Sequence, residues 1–187
     1  MRAAGWMVAA ALAGAPGAAM AQARPDQQAF LALYKQLVET NTSLSVGSCT
    51  QAAGQIADRL KAAGYADADI TRFSVPDHPR EGGMVAVLRG GDPQAKPMLL
   101  LAHLDVVEAK REDWVRDPFV LTDDADYFYG RGTMDDKAQA AIWSDAMIRF
   151  KQSGYRPKRT IKLALTCGER RPSRGTVRSG CPGTGRT

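Results

Sequence analysis

Three short segments of this sequence carry side chains that can bind a metal ion or move a proton. His103 and Asp105 directly follow the apolar run 98–102. A spacing of two places both side chains on one face of an extended segment. A carboxylate so close to an imidazole fixes its tautomer and makes it a more basic metal ligand. Because functional groups collect at the carboxyl ends of strands in open α/β sheets, this position favours a site. An ordinary structural histidine remains the alternative.

The other two segments are acidic and contain glycine. Residues 130–137 read Gly-Arg-Gly-Thr-Met-Asp-Asp-Lys, and their acids stand at the predicted start of a helix. Asp135 is the candidate ligand here, whereas capping of the helix by Thr133 or Asp135 is the structural alternative. In residues 165–169 a predicted strand ends in Gly168 and Glu169. A single acid at a strand end is weak evidence when taken alone.

Alternating helical and strand patterns predict an α/β domain that would position these segments. Two apolar runs, 84–88 and 98–102, are predicted as buried strands joined by a turn over residues 90–93. His78 is placed in a solvated loop. The remaining predictions are helices from residue 25 onward, over 48–63 and over 137–150, and strands over 70–75, 127–129 and 161–165.

In this order and at these spacings the three segments resemble a family of zinc-dependent exopeptidases and deacylases. That family includes glutamate carboxypeptidase, aminoacylase, acetylornithine deacetylase and succinyl-diaminopimelate desuccinylase. The stretches that carry the resemblance are 101–107 for the first metal motif, 130–137 for the second, 166–169 for the start of the third, and Trp114 with 117–119 between the first two.

The resemblance implies a mixed sheet flanked by helices, in a zinc-exopeptidase-like catalytic domain that is truncated in this chain. It implies that His103 and Asp135 bind metal, with Asp135 bridging two Zn²⁺ ions (or Co²⁺) and followed by a cis peptide. Asp105 would orient the imidazole, and Glu169 would be the general base for the attacking water. The implied substrates are peptides or N-acyl amino acids, as in a carboxypeptidase, dipeptidase or deacylase. Intact members of the family can be homodimers.

The pattern departs from that family at residue 170. Arg170 stands where a metal-binding Glu is expected, and the later ligands and the lid or dimerisation domain are not found in the sequence. We therefore expect residues 22–169 to be the N-terminal part of a metallohydrolase catalytic domain. Residues 170–187 are expected to be a disordered Arg- and Gly-rich tail, with a frameshift as its suggested origin. The alternative function is that of a catalytically inactive fragment.

The amino terminus predicts export. Residues 1–21 have a positive start, a short apolar stretch and an Ala-x-Ala site, which is typical of a secretory signal peptide. We expect a periplasmic or secreted protein, and no apolar run reaches the roughly 20 residues of a membrane span. Of the cysteines, Cys49 and Cys167 form a possible pair, and Cys181 lies in the tail.

The charge distribution argues against a nucleic-acid-binding fold. The formal net charge is +5, but residues 1–169 carry as many acidic as basic side chains. The excess comes from the five arginines of residues 170–187. Nucleic-acid or anion binding by this short segment is a third, separate interpretation, which a salt-dependent affinity would indicate.

Overall fold

A computed structural model describes residues 24–168, which form a mixed α/β fold. The predicted signal peptide, the predicted tail and Glu169 lie outside the described residues. The helices are α1 (Pro25–Glu39), α2 (Cys49–Ala62) and α3 (Lys137–Gln152); the strands are β1 (Ile70–Val75), β2 (His78–Leu88), β3 (Met98–His103), β4 (Thr122–Asp124), β5 (Tyr127–Tyr129) and β6 (Ile161–Thr166).

The main sheet has four strands in the order β1-β2-β6-β3. Strand β2 runs antiparallel to both β1 and β6, whereas β3 and β6 are parallel. The connection from β3 to β6 passes through the β4–β5 hairpin and α3, because parallel neighbours need a long crossover. The mixed sheet and the helices confirm the predicted fold class.

The helices cover one face of this sheet. Alternate residues of the central strands, such as Met84 on β2 and Leu163 on β6, are fully buried there. Leu37, Ile56 and Met147 from the three helices belong to the same core. Burial of such side chains contributes about 1.5–3 kcal/mol each, so this layer fixes the position of the strand ends.

Strands β2 and β3 follow one another in the chain, with a turn between them as predicted, but they are not neighbours in the sheet. Strand β6 lies between them and bonds to both. The connecting segment is held instead by the chain that leads into β6. The amide of Gly91 donates to the carbonyl of Pro157, and that of Asp92 to the carbonyl of Lys158, each at 2.9 Å.

Strand β3 is an edge strand and is not buried as predicted. Leu100 and Ala102 face the core, but Leu99 and Leu101 on the opposite face are 59% and 56% exposed. An apolar, exposed edge strand is a site for association with other chains. Its apolar composition alone could not distinguish burial on one face from burial on two.

A smaller difference concerns His78. His78 begins β2 and does not lie in a loop, although its side chain is exposed as expected and lies 3.6 Å from Glu81. No helix among residues 24–168 combines the length and apolar character required to cross a bilayer.

We predict that Leu101→Glu reduces self-association of the protein without lowering its thermal stability, because the side chain projects from the open face. The matched substitution Leu100→Glu, one residue away on the core face, should destabilise the fold by at least about 2 kcal/mol. Sedimentation velocity and thermal unfolding measure the two effects. Association of Leu101→Glu equal to that of the unsubstituted protein would show that this face does not mediate it.

Candidate metal centre

The carboxyl ends of β3 and β6 meet at one edge of the sheet. Their parallel register pairs His103 with Thr166, so the chain leaves both strands side by side. The amide of Leu104 continues the pairing by donating to the carbonyl of Thr166 at 2.8 Å. This register is the reason that His103 lies near the residues that follow β6.

The imidazole of His103 is held at both ring nitrogens. Nδ1 lies 3.0 Å from the backbone carbonyl oxygen of Asp105, and Nε2 lies 3.0 Å from Oδ1 of Asp135. A carbonyl only accepts, so Nδ1 carries the hydrogen of this bond. A neutral ring would then direct the lone pair of Nε2 at a carboxylate. This contact therefore favours a cation, either a proton or a metal ion, between the two atoms.

The side chain of Asp105 is fully buried behind this imidazole. Its Oδ1 accepts a hydrogen bond from the amide of Gly168 at 3.0 Å and lies 3.7 Å from Nδ1 of His103. Buried carboxylates require such partners because desolvation of the charge is costly. Asp105 thus joins the ends of the two parallel strands and faces the nitrogen of His103 that points away from Asp135.

The loop that carries Asp135 is shaped by a glycine and a tyrosine. Gly132 has a φ of +84°, and a Cβ there would lie 2.7 Å from Cγ1 of Val106, so another residue would not fit. The hydroxyl of Tyr34 on α1 donates to the carbonyl of Thr133 at 2.7 Å. These contacts fix the loop against α1 and the segment after β3.

The two acids at the start of α3 both contact His103. Asp135 contacts the ring, and Oδ2 of Asp136 accepts a hydrogen bond from the backbone amide of His103 at 3.2 Å. The peptide bond between the two acids is cis, as the resemblance implied. Neither Thr133 nor Asp135 caps the helix, because the N-cap residue is Asp136 and it makes no side-chain capping bond. The capping alternative for these residues was wrong.

Lys137 is fully buried directly after these acids. Its Nζ donates to the backbone carbonyls of Thr40 at 2.7 Å and Val38 at 3.5 Å. Desolvation by burial lowers the pKa of Lys137 to about 7. The side chain joins the start of α3 to the end of α1, and with Asp136 it is a structural component of the site that sequence patterns did not reveal.

The structure brings together three of the four predicted site residues. His103, Asp105 and Asp135 converge at one edge of the sheet, whereas Glu169 lies outside the described residues. Zn–N and Zn–O bonds of about 2.0–2.2 Å let one ion be shared by donor atoms as close as Nε2 of His103 and Oδ1 of Asp135. Asp135 is the more open of the two, with 60% of its side chain exposed.

Another group of potential ligands lies behind the imidazole. The sulfur atoms of Cys49 and Cys167 and a carboxylate oxygen of Asp105 are all within 4.8 Å of one another. The two sulfur atoms form a disulfide, which occupies them. The possible pairing expected from the sequence is therefore present in the structure, and His103 with Asp135 is the more suitable metal-binding pair.

Comparison with known proteins shows which family the chain is similar to. Residues 99–180 match the model of peptidase family M20/M25/M40. A probable succinyl-diaminopimelate desuccinylase of Staphylococcus aureus is 38% identical over 92 residues, which are 49% of this chain and 22% of that protein. The human N-fatty-acyl-amino acid synthase/hydrolase PM20D1 is 35% identical over 49% of this chain and 18% of its own length. These matches span about a fifth of the relatives.

A solved structure shows the same fold. The crystal structure of human carnosine dipeptidase 1 aligns with a TM-score of 0.61 and 25% sequence identity, covering 75% of this chain and 32% of that one. The described part of this chain thus corresponds to one portion of a longer catalytic fold.

We predict that Lys137 makes stability depend on pH in the alkaline range. Its pKa is lower in the folded than in the unfolded protein, so between about pH 7 and 10.5 the unfolded chain binds more protons. The free energy of unfolding should therefore gain on the order of 1 kcal/mol per pH unit from this group as pH rises, and lose it as pH falls to 7. Lys137→Met should lack this contribution in denaturant titrations from pH 7 to 9.5. Parallel pH profiles for the two proteins would contradict the assignment.

Proposed function

We propose that this chain supplies part of the active site of a metal-dependent amide hydrolase. The observation that carries the proposal is the contact between Nε2 of His103 and Oδ1 of Asp135, with Nδ1 already engaged by Asp105. The arrangement leaves a basic nitrogen and a carboxylate to share a divalent cation. The match of residues 99–180 to the model of the peptidase family supports the same conclusion.

Each residue has a distinct task in this proposal. His103 and Asp135 bind the metal, and Asp105 holds the imidazole in the tautomer that directs Nε2 at the ion. Asp136 fixes the backbone of His103 through its amide. Glu169 accepts a proton from the attacking water and returns it to the leaving amine. A bound Zn²⁺ or Co²⁺ ion, two in the complete site, supplies Lewis acidity for the carbonyl and a water of lowered pKa.

The substrate class proposed is a peptide or an N-acyl amino acid. This proposal is supported by the names of the relatives, which are a probable succinyl-diaminopimelate desuccinylase, an N-fatty-acyl-amino acid synthase/hydrolase and a carnosine dipeptidase. Export to the periplasm or the exterior is part of the proposal. The Cys49–Cys167 disulfide supports it, because disulfides persist mainly in oxidising compartments.

A second candidate is that a polypeptide limited to these 187 residues binds metal weakly and does not turn over substrate. Zinc sites in proteins generally use three or four protein ligands. Among the described residues His103 and Asp135 are the pair directed at a common point, and Arg170 follows the proposed base. In the resemblance this position holds a metal-binding Glu, and the positive charge of an arginine there opposes the binding of a metal cation.

We predict that His103→Ala weakens zinc binding by about tenfold or more, because it removes a ligand and not merely its support. His78→Ala is the matched control. His78 is the other histidine in the sequence, and it is exposed at the start of β2. Calorimetric titration of the metal-free variants measures both. Equal affinity for the two variants would refute the assignment of His103.

We further predict that the 187-residue polypeptide binds zinc with a dissociation constant above about 1 μM and does not hydrolyse dipeptides or N-acyl amino acids. The reason is that two protein ligands are fewer than the three or four that zinc sites generally use. Restoring an acid by Arg170→Glu should not by itself produce activity. The assay is a substrate panel with added Zn²⁺ or Co²⁺. Turnover that disappears in His103→Ala would contradict this prediction and support an active enzyme.

A further inference from the structure

The disulfide between Cys49 and Cys167 lies directly behind the buried carboxylate of Asp105. Cys49 is the first residue of α2 and is 1% exposed, and Cys167 follows the last residue of β6. The bond joins positions 118 residues apart. It therefore attaches the end of β6 to helix α2, which packs against β1 and β2. In the sheet these two strands lie on one side of β6, and β3 lies on the other.

A short series of contacts leads from this disulfide to the imidazole of His103. Gly168 is covalently next to Cys167, and its amide donates to Oδ1 of Asp105 at 3.0 Å. The backbone carbonyl of Asp105 accepts from Nδ1 of His103, also at 3.0 Å. A displacement of Cys167 would therefore reach the imidazole through two hydrogen bonds. The function proposed above makes no use of the disulfide.

We propose that the Cys49–Cys167 disulfide is a redox-controlled positioning element for the edge of the sheet that binds metal. Intact, it keeps Gly168 against Asp105, which keeps Nε2 of His103 directed at Asp135. Its reduction releases the end of β6 and weakens both hydrogen bonds. The consequence for metal binding rests on the proposed function, whereas the consequence for the two hydrogen bonds does not.

The redox step requires a dithiol or a phosphine as reductant. A dithiol transfers two electrons and two protons to the disulfide, which gives two thiols, and the dithiol itself becomes a disulfide. A phosphine supplies the two electrons and takes the oxygen atom of a water molecule to become a phosphine oxide, while the two protons of that water go to the thiols. Two non-bonded thiols need more room than a disulfide, and a close-packed interior transmits that change to its neighbours. Gly168 is the adjacent residue, and its amide makes the first hydrogen bond of the series, to Asp105.

The test is amide hydrogen exchange of the metal-free 187-residue chain, measured by NMR before and after reduction with a phosphine. We expect the amides of Gly168 and Leu104, which donate to Asp105 and to Thr166 at the end of β6, to exchange at least about tenfold faster after reduction. Amides inside α3, such as that of Met147, should change by less than about twofold. Cys181→Ala is the matched control, because it removes a cysteine that is not part of this bond. Before reduction, its amides should exchange as those of the unsubstituted oxidised protein do. Cys49→Ala/Cys167→Ala should reproduce the reduced pattern.

Two results of the exchange experiment would overturn the proposal. Unchanged exchange at Gly168 and Leu104, with both thiols shown by mass spectrometry, would mean that the disulfide does not position this edge. Loss of protection throughout α3 would mean that it supports the whole fold and has no local role.

Zinc titration of the oxidised and reduced forms provides the second measurement. We expect the oxidised form to bind zinc more tightly, by about tenfold. Tighter binding by the reduced form that is absent from Cys49→Ala/Cys167→Ala would show a thiolate metal site and would also overturn the proposal. If neither form binds zinc while exchange at Gly168 responds to reduction, the proposed function fails and the positioning role stands.

Discussion

The buried carboxylate of Asp105 is the constraint on which the geometry of this site depends. It accepts a hydrogen bond from the amide of Gly168, which follows β6. The backbone carbonyl of the same residue accepts a hydrogen bond from Nδ1 of His103 at the end of β3. A fully desolvated carboxylate is tolerated only with such partners, so the ends of both strands must remain in place around it. The parallel register of β3 and β6, the helices on one face and the disulfide all serve this arrangement.

Much of the fold could be predicted because the sequence follows simple periodicities. Each helix and strand that the sequence predicted within residues 24–168 is present, with ends shifted by a few residues. The extension of β2 back to His78 is the largest shift, since polar residues at a hairpin do not resemble a strand. The convergence of His103 and Asp135 followed from motif order, because a resemblance spanning several segments contains long-range information that spacing within one segment does not.

The rest could not be predicted because it depends on contacts between distant segments. The insertion of β6 between β2 and β3 is set by backbone pairing, to which side-chain patterns are insensitive. Lys137 can be buried because backbone carbonyls at the end of α1 accept the hydrogen bonds that its Nζ would otherwise donate to water. The neighbouring sequence does not distinguish it from a surface lysine. Asp136 supports His103 through a backbone amide, whose partner becomes visible only in three dimensions.

The most direct test of this account is anomalous diffraction at the zinc absorption edge from crystals equilibrated with Zn²⁺. The account predicts a peak between Nε2 of His103 and Oδ1 of Asp135, about 2.0–2.2 Å from each atom. Nδ1 of His103 should keep its bond to Asp105 in that structure. Ordered zinc at His78 or elsewhere, with the direct contact between His103 and Asp135 intact at saturating zinc, would contradict it.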